Sequence, residues 1–214
     1  MTDATSTLFS IAILVMSVVV HEVSHGIAAY LQGDKTAKYA GRLTLNPLPH
    51  IYPFGSIFLP FILVLIGSPF LIGWAKPVPY NPYNLRNQKW GPAIVGAAGP
   101  LSNLTIAVIF GVFLRLGTQG MFGSLPPEFL QSFLSISIII VIINIALAVF
   151  NLIPIAPLDG SKVLFALLPY RLYWIQQFLE MWGFMLLIFF IMFLSPIVSI
   201  LTGFLFQIIT GIPL

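Results

Sequence analysis

The chain has 214 residues, of which 58% are hydrophobic and only 7% are charged. Soluble domains carry about 25% charged residues, so this composition excludes an ordinary water-exposed surface and predicts a helical protein that crosses the lipid bilayer several times. Cysteine is absent, which excludes disulfides, thiolate nucleophiles and Cys-ligated metal. The net charge of +3 comes from basic residues in loops between apolar runs, a pattern of membrane topology rather than of nucleic-acid binding.

The apolar runs predict an all-α membrane protein with about five to six segments in one domain that covers residues 1–214. The first run begins without the basic residues of a signal peptide and continues without a small-residue cleavage site, so we expect a retained helix. Proline and glycine interrupt the second run. The six runs cover residues 8–31, 56–74, 92–115, 131–150, 172–195 and 197–213.

The sequence HEVSH in the first helix places His21, Glu22 and His25 within one turn and a half. A spacing of four puts both imidazoles on one helical face, where two nitrogens can meet one metal ion. Glu22 directly follows the first histidine, as the general base does in HExxH zinc peptidases. An ionisable group in a membrane helix costs about 2.5–3.5 kcal/mol, so three of them in one helix indicate a functional site. A metal site is favoured over a hydrogen-bonded polar cluster, with a proton relay as the functional alternative.

A third metal ligand has to come from elsewhere in the chain, because catalytic zinc takes three protein ligands and one water. Without cysteine, the candidates are His50 and the carboxylates. Asp159 lies in PLDG, directly after a helix that prolines end. Non-helical backbone at membrane depth is tolerated where it lines a cavity or is buried in protein. An aspartate that caps a turn at the membrane edge explains the residue equally well, so its surroundings alone leave both readings open.

Several motifs resemble the site-2 protease family of intramembrane metalloproteases. They are HEVSH at 21–25, GPLSN at 99–103 and NLIPIAPLDG at 151–160. The stretches GRLTLNPLPHIYPFG at 41–55 and GWAKPVP at 73–79 resemble the short prokaryotic branch of that family, which has no PDZ domain. The resemblance extends over roughly residues 15–165.

The resemblance implies a Zn²⁺-dependent endopeptidase that cleaves single-span membrane proteins within or near their transmembrane segments, in the inner membrane of a prokaryotic cell. It implies that zinc is held by His21, His25 and Asp159. It further implies that Glu22 is the base and that Asn151 positions the substrate or stabilises the oxyanion.

Two further residues have less defined expected roles. The short branch often has an acid two residues after His50, but this chain has Tyr52. His50 is therefore expected to support the metal ligands, to contact substrate or to be an alternative ligand ranked below Asp159. Asn103 is expected to hydrogen-bond to a metal ligand or to contact substrate. The loop 41–55 alternates apolar and polar residues, and it either pairs with an unwound substrate strand or is an ordinary connection.

The membrane topology has to bring the two metal-binding motifs together. They meet at one depth if helices 8–31 and 131–150 run parallel, which needs an odd number of crossings between them. Helix 92–115 supplies one crossing, so we predict that 56–74 is a re-entrant hairpin and that the catalytic core is 8–31, 92–115 and 131–165. Eight basic residues then lie on one side and one on the other. The positive-inside rule therefore predicts an outside N-terminus and an active site nearer the cytoplasm.

Other functions compete with a peptidase of this kind. A non-catalytic zinc-binding scaffold would not need Glu22. A proton-coupled transporter needs a continuous polar path, and the later helices have few ionisable residues. A zinc peptidase with a downstream glutamate ligand would use Glu128 or Glu180, and neither lies in a supporting motif.

Overall fold

The computed structural model describes residues 3–58, 62, 65, 75–122 and 124–213. These residues form α-helices joined by short 3₁₀ and π turns, with no β-strand among them, so the predicted all-α class is confirmed. The helices are α1 (Asp3–Leu31), α2 (Thr36–Tyr39), α3 (Gly91–Thr118), α4 (Pro127–Asn151), α5 (Asp159–Leu167) and α6 (Tyr173–Thr210). The short turns are Leu48–His50, Pro53–Phe58, Pro82–Asn84 and Tyr170–Leu172.

Four helical stretches in the described part of the chain are long and apolar enough to cross a bilayer. A helix rises about 1.5 Å per residue, so even 25 residues extend about 37 Å, which exceeds a hydrocarbon core of about 30 Å. Their outer faces expose many leucine, isoleucine and phenylalanine side chains. The chain is therefore an integral membrane protein. The four stretches are Thr7–Leu31, Gly91–Thr118, Pro127–Asn151 and Tyr170–Thr210.

The last two apolar runs of the sequence form one helix, α6, which continues through Pro196. Proline removes one backbone hydrogen bond and favours a kink, which is why the sequence pattern suggests an end there. In the bilayer, a complete break would leave further backbone groups without water to satisfy them. Continuing the helix past Pro196 leaves fewer unsatisfied groups than ending it.

Helices α1 and α3 pack antiparallel. His25 contacts the backbone of Val95, whereas Ser17, two turns earlier in α1, contacts Asn103 later in α3. Small residues on the buried face of α3, such as Gly99, allow the close approach that membrane helices use.

Helices α3 and α4 also pack antiparallel. Asn103 is hydrogen-bonded to Asn144, whereas Gly117, near the end of α3, lies against Leu134 near the start of α4. Because α1 and α4 each run opposite to α3, they are parallel to each other. This confirms the orientation that the two motifs require.

Most of the segment 56–74, which we predict to be re-entrant, lies outside the described residues. The flanks of the segment are described, and they lie side by side. The Lys76 N–H donates to the His50 carbonyl oxygen at 2.8 Å, and Arg42 Nη2 donates to the Lys76 carbonyl oxygen at 2.6 Å. A returning segment requires flanks on one side of the membrane, so this arrangement fits the prediction, which otherwise remains untested.

Candidate metal centre

The HEVSH helix places two buried imidazoles against one carboxylate. His21 and His25 are 6% and 8% exposed, and their ring centroids lie 4.7 Å apart with the planes nearly perpendicular. His21 Nε2 lies 3.1 Å and His25 Nε2 lies 3.0 Å from the same atom, Asp159 Oδ2. The structure thus brings together the three residues that the resemblance implies as metal ligands, with one ligand atom of each within 4.8 Å of the others.

The PLDG motif explains how Asp159 reaches the histidines. Helix α4 ends at Asn151, and the chain turns through a proline-rich stretch before α5 begins at Asp159 itself. The next residue, Gly160, is packed directly against the end of α4, where a Cβ would collide with the Leu152 carbonyl oxygen. Glycine at this position therefore allows α5 to begin against the preceding helix, with the aspartate in its first turn.

Both histidines use their second ring nitrogen to hold their orientation. His25 Nδ1 lies 2.6 Å from the Val95 carbonyl oxygen, and His21 Nδ1 lies 2.6 Å from Asn103 Oδ1. An oxygen of this kind can only accept, so each Nδ1 carries the proton and donates it. Nε2, the atom that faces the carboxylate, is then the nitrogen with which each neutral imidazole can bind a metal ion.

Gly99 leaves the space in which the two imidazoles converge. A Cβ at this position would lie 2.6 Å from His21 Nε2 and 2.6 Å from His25 Nε2, closer than real contacts allow. Any larger residue would therefore occupy the volume between the donor atoms. The glycine of the GPLSN motif serves this geometry in addition to helix packing.

The residues at this centre fit a zinc ion. Two imidazole nitrogens and one carboxylate oxygen are a donor set of catalytic zinc sites. The other oxygen of the carboxylate is held by a lysine, because Lys162 Nζ donates to Asp159 Oδ1 at 2.9 Å. Burial opposes the charge on Lys162, but attraction to Asp159 outweighs it, so the pKa of Lys162 is raised above its usual value. Asp159 therefore turns Oδ1 to the ammonium and Oδ2 to the histidines.

Glu22 lies beside the centre, and its carboxylate is held by the loop that precedes α3. Glu22 Oε2 accepts a hydrogen bond from the Val78 N–H at 2.8 Å. Val78 stands between Pro77 and Pro79, neither of which has an N–H. The Val78 side chain is buried against Gly26 of α1, and this contact keeps the donor next to the carboxylate.

His50 and Asn151 have other partners than the three grouped ligands. Among the described residues, the group that could hold a metal does not include His50. The His50 side chain is 2% exposed, with Nε2 at 3.0 Å from the Thr44 carbonyl oxygen and Nδ1 without a hydrogen-bond partner within the described ranges. Asn151 Nδ2 donates to the Leu147 carbonyl oxygen of its own helix at 2.9 Å.

Two polar residues that the sequence motifs do not indicate support the centre from within the bundle. Asn144 in α4 is fully buried and bonded to Asn103, and Ser17 in α1 is bonded to both asparagines. A signal was present, because an asparagine in the apolar run IIIVIINIALAVF needs an internal partner at membrane depth. The sequence does not indicate which partner that is.

Comparison with known proteins gives matches over most of the chain. The model of peptidase family M50 matches residues 9–194. "Putative zinc metalloprotease YwhC" of Bacillus subtilis is 36% identical over 189 residues, which are 87% of this chain and 80% of that protein. "Putative zinc metalloprotease Rip2" of Mycolicibacterium smegmatis is 32% identical over 151 residues, which are 70% of this chain and 53% of that protein. No solved structure matches the chain significantly.

Proposed function

Because the chain belongs to peptidase family M50, we propose that it is a zinc endopeptidase that hydrolyses peptide bonds of other membrane proteins inside the bilayer. The observation that carries this proposal is the convergence of His21 Nε2, His25 Nε2 and Asp159 Oδ2 within a bundle of membrane-spanning helices. We assign zinc binding to these three residues. When bound, zinc supplies a Lewis acid for the peptide carbonyl and lowers the pKa of its water towards about 7.

Glu22 is the general base of the proposed reaction. Its carboxylate takes a proton from the attacking water as the water oxygen bonds to the peptide carbon, and it returns the proton to the amine when the C–N bond breaks. The Val78 N–H holds one oxygen of the carboxylate, so the group keeps a single orientation beside the histidines. Catalysis by a positioned acid–base group is worth about 10²–10⁴-fold in rate.

Asn151 is proposed to act on the substrate rather than on the metal. A carboxamide has two N–H groups, and in Asn151 one of them is used by the Leu147 carbonyl oxygen. The second N–H remains to position the substrate or to donate to the oxyanion, a contact of the kind that is worth about 10²–10³-fold in rate.

The substrate is proposed to be a single-span membrane protein. A transmembrane helix hides its carbonyls in its own hydrogen bonds, so it has to unwind locally before attack. The loop 41–55 is proposed to pair with the unwound strand by β-addition. His50 in this loop has a buried Nδ1 that finds no partner in the part of the chain that the structure describes, and this atom is a candidate acceptor for a substrate N–H.

We propose that the reaction takes place near the cytoplasmic face of a prokaryotic inner membrane. Eight of the nine Lys and Arg residues lie on the side that contains the C-terminal end of α1 if residues 56–74 return to it. HEVSH lies in the C-terminal half of that helix. The centre is therefore within the bilayer but closer to the basic side.

The decisive experiment combines metal analysis with Glu22→Gln in the purified full-length chain. We expect one zinc per wild-type molecule and cleavage of a single-span substrate in vesicles. Glu22→Gln should keep the zinc and lose about 10²–10⁴-fold in cleavage rate. Glu128→Gln, which changes an exposed glutamate at the start of α4, is the matched control. A wild-type chain without zinc, or a Glu22→Gln variant that cleaves at the wild-type rate, would overturn the proposal.

A further inference from the structure

A line of buried polar side chains leads from His21 into the middle of the bundle. His21 Nδ1 is bonded to Asn103 Oδ1, and Asn103 Nδ2 is bonded to Asn144 Oδ1 at 2.8 Å. Asn144 Nδ2 is bonded in turn to Ser17 Oγ at 2.9 Å. The two asparagines are 0% exposed and Ser17 is 5% exposed, so lipid and water do not compete for these bonds.

Two backbone carbonyls determine the direction in which each amide points. Asn144 Nδ2 also lies 2.9 Å from the Ile140 carbonyl oxygen, and Asn103 Nδ2 also lies 3.3 Å from the Ser17 carbonyl oxygen. A carbonyl oxygen only accepts, so the NH₂ group of each asparagine has to face it. If either amide were reversed, two oxygens would face each other in a buried, low-dielectric position.

These constraints pass from one residue to the next. Because Asn144 turns its NH₂ group to Ile140, it presents Oδ1 to Asn103. Because Asn103 turns its NH₂ group to Asn144 and Ser17, it presents Oδ1 to His21. His21 Nδ1 then has to carry a proton, so Nε2 is the ring nitrogen that remains to bind a metal ion.

We propose that Asn144, together with Asn103 and Ser17, is a positioning residue that holds His21 in the tautomer whose Nε2 is free to bind a metal ion. None of these three residues is itself a proposed metal ligand. The inference rests on the proposed function only in taking Nε2 as the metal-binding atom. It requires neither the peptidase reaction nor any particular substrate.

His25 provides an internal reference, because the same tautomer is obtained there by a shorter route. Its Nδ1 donates directly to the Val95 carbonyl oxygen, with no amide between them. A change at Asn144 should therefore alter His21 and leave His25 as it is. A general loosening of the bundle would alter both histidines.

The first test needs no variant. The full-length chain contains three histidines, so imidazole ¹⁵N spectra of the zinc-free protein in lipid nanodiscs can be assigned residue by residue. We expect a proton on His21 Nδ1, the nitrogen that faces Asn103 Oδ1. A spectrum that shows His21 Nδ1 without a proton would overturn the inference, whether or not any variant folds.

The second test uses Asn144→Leu, which keeps a similar volume but removes both the donor and the acceptor. We expect the zinc affinity, measured by competition with a chelator, to fall about ten- to hundredfold, as for other partners of metal-ligating histidines. The His21 spectrum should show mixed tautomers while the His25 spectrum is unchanged.

The matched control is Ser137→Ala, which also changes a fully buried polar residue of α4, two turns away. Ser137 Oγ bonds only to the Phe133 carbonyl of its own helix, so zinc affinity should stay within about twofold. Wild-type zinc affinity and an unchanged His21 spectrum in Asn144→Leu would refute the positioning role and leave the proposed function intact. A wild-type chain with the expected tautomer but no zinc would refute the proposed function and leave this inference intact.

Discussion

The two ends of α3 are held in the bundle by different interactions. Its N-terminal half meets α1 and α5 through small residues and polar groups, with Gly99 between the histidines and Asn103 bonded to His21. Its C-terminal half meets α4 and α6 mainly through apolar side chains. That apolar cluster consists of Ala107, Leu114, Val141, Ile145 and Phe206, with partly buried neighbours around it.

One half of α3 therefore supports metal binding, and the other half supports the packing of the bundle. In the membrane, apolar side chains gain little by leaving lipid for protein, so the apolar half is stabilised by the fit of its surfaces. The polar half depends on hydrogen bonds, which hold the metal ligands in place because their strength depends on distance and angle. We therefore expect substitutions in the polar half to change metal binding with little loss of stability. Substitutions in the apolar half should do the reverse.

The largest effect is expected for Gly99→Ala in the polar half. The added methyl group would lie in the space where the two Nε2 atoms converge, so zinc binding and cleavage should both be lost. The helical fold should remain, since alanine is a better helix former than glycine. Zinc content, cleavage and circular dichroism measure these three properties. Gly203→Ala, in open space on α6, is the control, and retained zinc in Gly99→Ala would refute the role given to this glycine.

The opposite outcome is expected for Leu114→Ala in the apolar half. Leu114 is fully buried in the apolar cluster, and a cavity at such a site costs about 2–5 kcal/mol. Resistance to unfolding in detergent should fall, while the folded fraction should bind zinc with wild-type affinity. Leu101→Ala makes the same chemical change at a 56% exposed position of the same helix and should be nearly neutral. Equal losses in the two variants would contradict the assignment of packing to this cluster.

An intermediate effect on catalysis alone is expected for Val78→Pro. This change removes the N–H that holds Glu22, and a hydrogen bond to a charged group is worth about 1.5–3 kcal/mol. Cleavage should slow about ten- to hundredfold with unchanged zinc content, because the metal ligands are untouched. Val78→Ala keeps the N–H and loses the side-chain packing, so it separates the two contributions. If the alanine variant slows cleavage as much as the proline variant, orientation of Glu22 by the backbone is not the cause.

The smallest effect is expected at Asp34, a buried carboxylate outside the metal centre. Burial alone would raise its pKa, but donors on Thr36, Asn84 and Asn81 outweigh burial, so the pKa of Asp34 is lowered below its usual value. Because the pKa of Asp34 is lower in the folded state, its carboxylate stabilises the fold at pH values above the unfolded-state pKa of about 3.9. This stabilisation is lost as the pH falls through the lower folded value.

Unfolding measured between about pH 6 and pH 3 should therefore show a smaller acid-induced loss of stability for Asp34→Asn than for the wild type. Glu128→Gln, at an exposed carboxylate, should follow the wild type. Identical pH curves for Asp34→Asn and the wild type would show that this carboxylate does not stabilise the loop. Asp34 differs in this respect from Asp159. Both Asp34 oxygens accept hydrogen bonds from donors within the protein, whereas Asp159 turns Oδ2 to the two histidines.

The parts of the site that sequence reasoning anticipated are those with local causes. A spacing of four residues in a helix is enough to place His21 and His25 on one face, and proline and glycine are enough to end α4 before Asp159. The predicted bounds of the three long helices before α5 also agree with α1, α3 and α4 within five residues. The differences lie in first and last turns, where polar residues such as those of DATST continue the helix.

Residues far apart in the chain were anticipated only in part. Asn103 was expected near a metal ligand, but the support it receives from Asn144 and Ser17 depends on how three helices meet. The contact between Val78 and Glu22 also joins a loop and a helix 56 residues apart. Periodicity and motif spacing carry no information about such contacts.

The amino-acid sequence by itself determined that this is a multi-span helical membrane protein and that two imidazoles and an adjacent carboxylate share one stretch of helix. Composition and helical periodicity depend only on residues that are close in the sequence, so they can be recognised before the fold is known. Only the tertiary structure decided that Asp159, 138 residues after His21, completes the group, and that buried amides set which imidazole nitrogen faces it. Those outcomes depend on the packing of α1, α3, α4 and α5 around Gly99, because a hydrogen bond forms only where helices bring its two atoms within about 3 Å.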